Sequence, residues 1–183
     1  GVDGGLIHNV HLQDSYGYGI WIHSDASGNY NSSNVRVIGN NVVGCYDDCI
    51  EFDGATDCLA VGNTCGITGS SGIMTAIDVW NGAKNITIQG NTILGENTGN
   101  HTIAIQVQGN DNGFPAANNI SIVGNTARNI WKGIQLYGNT SGTSDINKII
   151  VSDNVFAGYS SYASDSMGAS IEYASGVTFA GNI

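Results

Sequence analysis

The chain has 183 residues, with 27 glycines, one proline and only 11% charged side chains. This composition fits a single folded domain and excludes a coiled coil, a long helical array or a highly charged disordered chain. Five basic residues against fifteen acidic ones give a net charge of −10, so a nucleic-acid backbone would be repelled. No apolar run approaches the roughly 20 residues that span a bilayer, so neither nucleic acid nor a membrane is expected as a partner.

One short phrase recurs along the whole chain, and each copy contains an asparagine near its end. Its six copies read VRVIGNNV at 35–42, LAVGNTC at 59–65, ITIQGNTI at 86–93, ISIVGNTA at 120–127, IIVSDNVF at 149–156 and VTFAGNI at 177–183. A weaker earlier copy has Val10 in the asparagine position. Such internal repetition is the sequence signature of a solenoid.

Each repeat contains three short strands. Apolar residues alternate with polar ones before the asparagine, and another apolar residue follows two positions after it, which indicates strands rather than helices. A further strand completes each repeat, and its copies read GIWIH at 19–23, CIEFD at 49–53, AIDVW at 76–80, AIQVQ at 104–108, GIQLY at 133–137 and SIEYA at 170–174. Turns rich in Gly, Asn and Ser separate the strands.

A repeat of about 28 residues cannot bury three apolar strands alone, whereas stacked repeats bury them continuously. The sequence therefore predicts an all-β fold, a right-handed single-stranded parallel β-helix of about six to seven coils. We expect one β-helix domain over residues 1–183, as a fragment of a longer chain. The repeated asparagine is expected to form a ladder at a tight turn.

The GIWIH-type strands have the most chemically distinctive outward face. If Ile20 and Ile22 point inward with their counterparts, the first outward column reads Trp21, Glu51, Asp78, Gln106, Gln135 and Glu172, and the second reads His23, Asp53, Trp80, Gln108, Tyr137 and Ala174. The strands that precede the asparagine have no comparable acids on their outward face. The long turns at 24–33, 109–118, 138–147 and 157–168 would wall a groove or contact a partner.

Three carboxylates on adjacent coils, Glu51, Asp53 and Asp78, are the candidate catalytic residues. Neighbouring strands hold side chains about 5 Å apart, and diagonals of about 7–8 Å also suit carboxylate pairs that cleave glycosidic bonds. Crowding raises the pKa of one acid, which supplies a proton donor beside an ionised base. The candidate substrate-binding residues are Trp21, His23, Trp80, Gln106, Gln108, Gln135 and Tyr137.

Two other interpretations of this face stay open. The acids can be ordinary solvated charges, or Asp47 and Asp48 can join them in a calcium site, since hard oxygen ligands suit Ca²⁺. No other metal site is predicted. The four cysteines, at positions 45, 49, 58 and 65, lack CxxC spacing, and we favour buried thiols over disulfides.

The NVxVxGN and GIxI phrases resemble those of the pectate-lyase-like β-helix superfamily, which includes polysaccharide lyases, glycoside hydrolases, epimerases and phage tailspikes. Asp47 and Asp48 in YDDCI are similar in position to the acid pair of polygalacturonase-like hydrolases, but the companion NTDG, GHG and RIK phrases are absent. The DPHE phrase of the epimerases is absent too. Lys132 is the only basic residue near the face, which disfavours a pectate-lyase mechanism.

The resemblance implies a polysaccharide-binding module that also degrades its ligand, as a glycosidase or a lyase. The alternative is a non-catalytic structural or receptor-binding module of a tailspike or an extracellular adhesin. The implied partners are a polysaccharide and either two further copies in a homotrimer or the remainder of a longer parent chain. The implied location is extracellular or on a virion surface.

Overall fold

The computed structural model describes residues 1–25, 31–68, 73–95, 101–109, 115–138, 146–158 and 167–183. These residues form a right-handed parallel β-helix, which confirms the predicted fold class. No helix occurs among them, and the described part of the chain has no helical segment that could cross a membrane.

Three parallel sheets line the β-helix, and successive strands pass from one sheet to the next. Sheet A has seven strands: β1 (Asp3–His8), β4 (Ser33–Ile38), β7 (Leu59–Val61), β10 (Lys84–Gln89), β13 (Asn118–Val123), β16 (Ile146–Ser152) and β19 (Ala174–Ala180). Sheet B has six: β2 (His11–Gln13), β5 (Asn41–Cys45), β8 (Thr64–Ile67), β11 (Thr92–Leu94), β14 (Thr126–Arg128) and β17 (Val155–Ala157). Sheet C also has six: β3 (Ile20–His23), β6 (Ile50–Asp53), β9 (Ile73–Trp80), β12 (His101–Gln108), β15 (Lys132–Tyr137) and β18 (Met167–Glu172). The stack is thus close to the six to seven coils that the repeats predict.

The core is made of columns of like residues that the repeats bring into register. On sheet A, Val37 pairs with Ala60, which pairs with Ile88, and the column continues through Ile122 and Val151. All five side chains are fully buried. The hydrophobic energy of the fold therefore depends on neighbouring coils rather than on any coil alone.

The repeated asparagines form the predicted ladder. Each side-chain Nδ2 donates to Oδ1 of the asparagine in the next coil at 2.9 Å, through the series Asn40, Asn63, Asn91, Asn125, Asn154 and Asn182. The backbone N–H of each donor residue bonds to the same Oδ1. The other Nδ2 hydrogen reaches a backbone carbonyl, as from Asn125 to Ile88 at 3.0 Å. The ladder thus satisfies amides that would otherwise be buried without partners.

The residue before each ladder asparagine lies in the left-handed region of backbone space. Gly62, Gly90 and Gly124 occupy this position with φ between 61° and 65°, and Asp153 replaces glycine there with φ 56°. Glycine adopts this conformation without strain, and a short polar residue tolerates it. The Gly-Asn pair in the repeated phrase therefore specifies both the turn and the ladder.

The last strand of sheet C departs from the predicted register. Leu136 pairs with Ile171 and Ile134 with Ala169, so the pairing is shifted by two residues from the expected match of Leu136 with Tyr173. Tyr173 lies at the turn with φ 52°, and β19 begins directly after it. The expected places of Glu172 in the first outward column and of Ala174 in the second are therefore wrong.

The preference for four buried thiols is also wrong for one pair. Cys45 and Cys49 form a disulfide with a Cα–Cα distance of 5.4 Å, whereas Cys58 and Cys65 are free and buried. The turn between β5 and β6 brings the first pair together, because it holds the two Cα atoms within the distance that a disulfide can span. This disulfide closes the turn that carries Asp47 and Asp48.

Candidate functional site

The candidate acids lie side by side on sheet C. Glu51 pairs in register with Trp21 on one side and Asp78 on the other. In the neighbouring column, Asp53 lies between His23 and Trp80. Adjacent parallel strands are about 4.8 Å apart, so the three carboxyl groups occupy neighbouring positions on two strands.

These acids are not solvated surface charges. Glu51 is 1% exposed, Asp78 is 3% exposed and Asp53 is 5% exposed, so β6 is buried on both faces. Strand alternation correctly places the acids on the outward side of the sheet, but that side is covered. Burial without full pairing disfavours the charged form of a carboxyl group.

Asp53 has two side-chain partners. Its Oδ2 lies 2.7 Å from Nδ1 of His23, and its Oδ1 accepts a hydrogen bond from Nδ2 of Asn81 at 2.6 Å. An ionised carboxylate only accepts hydrogen bonds, so we assign the proton of this contact to Nδ1 of His23. In a neutral ring this leaves Nε2 as an acceptor, and the His23 side chain is 45% exposed. Asp53 thus orients an imidazole that solvent can reach.

Asp78 is held by the sheet itself. Its Oδ1 accepts from the backbone N–H of Val79 at 2.8 Å, and its Oδ2 accepts from Nε2 of Gln108 at 2.7 Å. Burial nevertheless raises the pKa of Asp78 to about 8, and the charge of Glu51 adds to the increase. These two effects outweigh both hydrogen bonds, which act in the opposite direction.

Glu51 is the least satisfied member of the group. Its Oε2 is buried and has no hydrogen-bond partner among the described residues. Burial raises the pKa of Glu51 to about 8, with additional contributions from the charges of Asp48, Asp53 and Asp47. At neutral pH this side chain therefore holds a proton that it can donate.

Asp48 is part of the same electrostatic group, although it was not among the predicted catalytic residues. It is 8% exposed, and burial raises its pKa to about 9, helped by the charges of Asp78 and Asp47. A backbone hydrogen bond from Thr75 opposes this increase. The acidic pair in YDDCI was visible in the sequence, but its position in a turn left its direction undefined.

The candidate binding residues occupy the edge of the acid group and the strands beyond it. Trp21 is 48% exposed and Trp80 is partly buried. Gln106 pairs with Asp78 on one side and with Gln135 on the other, and Gln108 pairs with Tyr137. Oε1 of Gln106 accepts a hydrogen bond from the Thr75 hydroxyl at 2.9 Å, and Gln108 is bonded to Asp78. Gln106 and Gln108 therefore make hydrogen bonds within the protein, in addition to lying on the outward side of sheet C.

Sequence reasoning missed three exposed tyrosines beside the acids. Tyr18 stacks on Trp21 with a centroid distance of 5.1 Å, and Tyr16 stacks on Tyr46 at 5.0 Å. Trp21 also contacts the ring of His23 at 4.6 Å. Burial and the negative charges of Glu51, Asp47, Asp48 and Asp53 raise the pKa of Tyr18 to about 12, so its phenol stays protonated. The aromatic spacing in SYGYGIW at 15–21 was the available signal.

Among the described residues, the acids form no metal-binding group. The described residues contain no group of three or more His, Cys, Asp or Glu side chains arranged to hold a metal ion, and this includes the acids proposed as calcium ligands. A cavity of about 430 Å³ lies at the first coil, lined by residues such as Leu6, Ile22 and Val35, and the acids do not line it. The four long turns expected to wall a groove lie largely outside the described residues.

Comparisons with known proteins establish the fold. No protein-family model matches the sequence, and no curated protein matches it significantly. A mutant of the periplasmic alginate epimerase AlgG matches with a TM-score of 0.73 at 13% identity, over 99% of this chain and 40% of that one. The Streptococcus pneumoniae surface protein and adhesin PfbA matches with a TM-score of 0.53 at 15% identity, over 96% of this chain and 49% of that one. The chain therefore spans less than half the length of these neighbours, and the likeness concerns the fold alone.

Proposed function

We propose that this β-helix binds a polysaccharide on sheet C and cleaves it with the acids of that sheet. The observation that carries the proposal is a group of three buried acids, in which the pKa values of Glu51 and Asp78 are raised and Asp53 orients His23. Strongly perturbed acids of this kind concentrate at functional sites. The polysaccharide epimerase and the surface adhesin that share the fold support a carbohydrate-related role.

The environments of the acids suggest distinct roles. Glu51 carries a proton at neutral pH and has an unpartnered oxygen, so we assign it the role of general acid toward the glycosidic oxygen. Asp53 orients His23, whose side chain is 45% exposed, and we assign Nε2 of His23 the role of general base. Asp78 pairs in register with Glu51 and also has a raised pKa, so we assign it the role of a second proton donor. This set provides the two proton transfers that cleavage requires.

A binding-only module is the second candidate, and one observation favours it. The acids are at most 5% exposed, so a polymer that lies on sheet C contacts the exposed rings more readily than the carboxyl groups. In this case Trp21, Trp80 and Tyr137 bind the ligand, and the acids hold protons as structural groups. The adhesin-like fold neighbour supports this candidate.

The proposed location is outside the cytoplasm, and more specifically extracellular or on a virion surface. The fold neighbours are described as periplasmic and as a surface protein, and the disulfide between Cys45 and Cys49 suits an oxidising compartment.

The deciding experiment compares amide variants on a panel of polysaccharides, with products identified by mass. Glu51→Gln, Asp53→Asn and Asp78→Asn should each reduce turnover by about 100-fold or more, as expected for the loss of an acid, a base or its orienting partner. Hydrolysis adds 18 Da of water and elimination leaves an unsaturated product, so the masses also define the reaction.

Glu172→Gln is the matched control. Glu172 is an exposed acid on sheet C, but it pairs with Tyr137 and lies three strands beyond Asp78. Its substitution should leave turnover unchanged. If the polymer binds but is never cleaved, the binding-only module is correct. If it is cleaved and all four variants behave alike, the three acids are not the catalytic groups.

A further inference from the structure

The distribution of basic residues limits which polysaccharide can bind at this site. All five basic residues of the chain fall within the described ranges. Four of them lie on the other sheets: Arg36, Lys84 and Lys148 on sheet A, and Arg128 on sheet B. Sheet C has only Lys132, which is 8% exposed and holds its Nζ 4.1 Å from the ring centroid of Trp131. Among the described residues, no accessible lysine or arginine therefore lies on the proposed binding face.

Acids surround the same face. Asp47 is exposed beside the buried Asp48, and both belong to the turn that leads into β6, which carries Glu51 and Asp53. A ligand carboxylate about 5 Å from one ionised acid is repelled by about 1 kcal/mol in water, and by more where water is excluded. An acidic polymer would meet this repulsion wherever it passes an ionised acid, with no accessible lysine or arginine on sheet C to offset it.

Four exposed rings lie on β3 and on the turns that lead into β3 and β6, and we call Tyr16, Tyr18, Trp21 and Tyr46 the aromatic platform. Their exposed fractions are 87%, 39%, 48% and 36%. They form two stacked pairs, Tyr16 with Tyr46 and Tyr18 with Trp21. Flat rings with polar tips offer large contact area to the C–H faces of sugar rings, and this contact does not require a charge on the ligand.

The unpartnered oxygen of Glu51 points to the same ligand chemistry. A buried polar atom without a partner is rare in native proteins and marks a place where a ligand or water can bond. A sugar hydroxyl can donate to this oxygen or accept a proton from it. A ligand carboxylate can only accept, and it would add a further negative charge to the group.

We infer that the polysaccharide bound on sheet C is uncharged, and that it docks on the aromatic platform with a hydroxyl directed toward Glu51. The inference rests on the proposed function and specifies its substrate class. Polyuronates and other acidic glycans are excluded as ligands, although the fold is shared with an alginate epimerase.

The test uses the same polymer in two charge states. Polygalacturonate and its carboxyl-reduced, neutral form are compared, together with alginate and a neutral glucomannan, by calorimetry at 20 and 200 mM NaCl. The neutral polymers should bind at least 10-fold more tightly than the acidic ones, with affinities that change less than 2-fold between the two salt concentrations. Salt screens charge interactions and leaves ring stacking almost unaffected.

Variants locate the binding. Trp21→Ala should weaken binding of the neutral polymer by at least 10-fold, whereas Ile150→Ala, at a half-exposed apolar position on sheet A, should leave it unchanged. Circular dichroism verifies that both variants are folded. Tighter binding of the acidic polymers would overturn the inference and leave the proposed function standing. No binding to any of the four polymers would overturn the proposed function as well.

Discussion

The buried acid group predicts that the protein loses stability as the pH rises, and that Glu51→Gln removes part of this loss. Glu51 has an ordinary pKa of 4.5 and a pKa of about 8 in the folded protein. The folded state therefore binds this proton more tightly than the unfolded chain does. Its stabilising contribution is complete below about pH 4.5 and is lost as the pH rises through about 8.

The size of the effect follows from the same values. An increase from 4.5 to about 8 corresponds to about 5 kcal/mol, at about 1.4 kcal/mol for each pKa unit. A charged side chain draws in water and polarises its surroundings, so we expect a smaller measured effect of about 2–3 kcal/mol. Asp48 and Asp78 add to the loss in the parent protein, because burial also raises their pKa values.

Urea unfolding at pH 5 and pH 9, at constant ionic strength, measures this difference. Between the two pH values, the free energy of unfolding of the parent should fall by about 2–3 kcal/mol more than that of Glu51→Gln. Glu172→Gln is the control, since this exposed acid should change both values equally. A parent whose stability is flat or rises from pH 5 to pH 9 would show that Glu51 ionises without penalty, and the assignment of a proton to it would be refuted.

Three further predictions concern the framework. Asn91→Ala should reduce the free energy of unfolding by about 3 kcal/mol or more, because it leaves several buried ladder groups unpaired. Asn41→Ala, at an exposed side-chain hydrogen bond, should reduce it by less than about 1 kcal/mol, and urea unfolding of both variants checks this. Thiol titration of the unfolded, non-reduced protein should detect two thiols rather than four, and replacing both Cys45 and Cys49 by serine should reduce stability by about 2 kcal/mol. Gly90→Asn should be tolerated and Gly90→Val should destabilise by about 1–2 kcal/mol in the same assay, since a Cβ there meets no neighbour but φ is 61°.

The coil architecture was predictable because each coil repeats the same sequence pattern. The ladder asparagines, the glycine before them and the inward columns all recur with one phase, so an error in one repeat is corrected by the others. The last strand of sheet C lies at the end of the stack, so only one neighbouring coil is available to confirm its register. An earlier coil contained the information that was needed. There, the inward residue Phe52 of sheet C precedes Cys58, the first apolar residue of the next repeated phrase, by six positions. Counting six positions back from Val177 gives Ile171, which the structure places in the inward column of sheet C beside Leu136.

The environment of the candidate acids was not predictable in the same way. Alternation along β6 determines on which side of the sheet Glu51 and Asp53 leave the strand, but it carries no information on what covers that side. Their burial, the raised pKa of Asp48 and the stacking of Tyr16 on Tyr46 all depend on turns. Turn residues follow no period, so their direction emerges only in the folded protein.

The asparagine ladder separates the length of a coil from its height. Successive ladder asparagines are 23, 28, 34, 29 and 28 residues apart, yet every one meets the next at the same 2.9 Å. Coils of different length therefore keep the same spacing along the ladder. Duplicating or deleting one whole coil between two ladder asparagines would change the end-to-end distance by a single increment of about 4.8 Å and leave the remaining amides paired. The protein can thus be resized in fixed steps, as a molecular ruler between two attached groups.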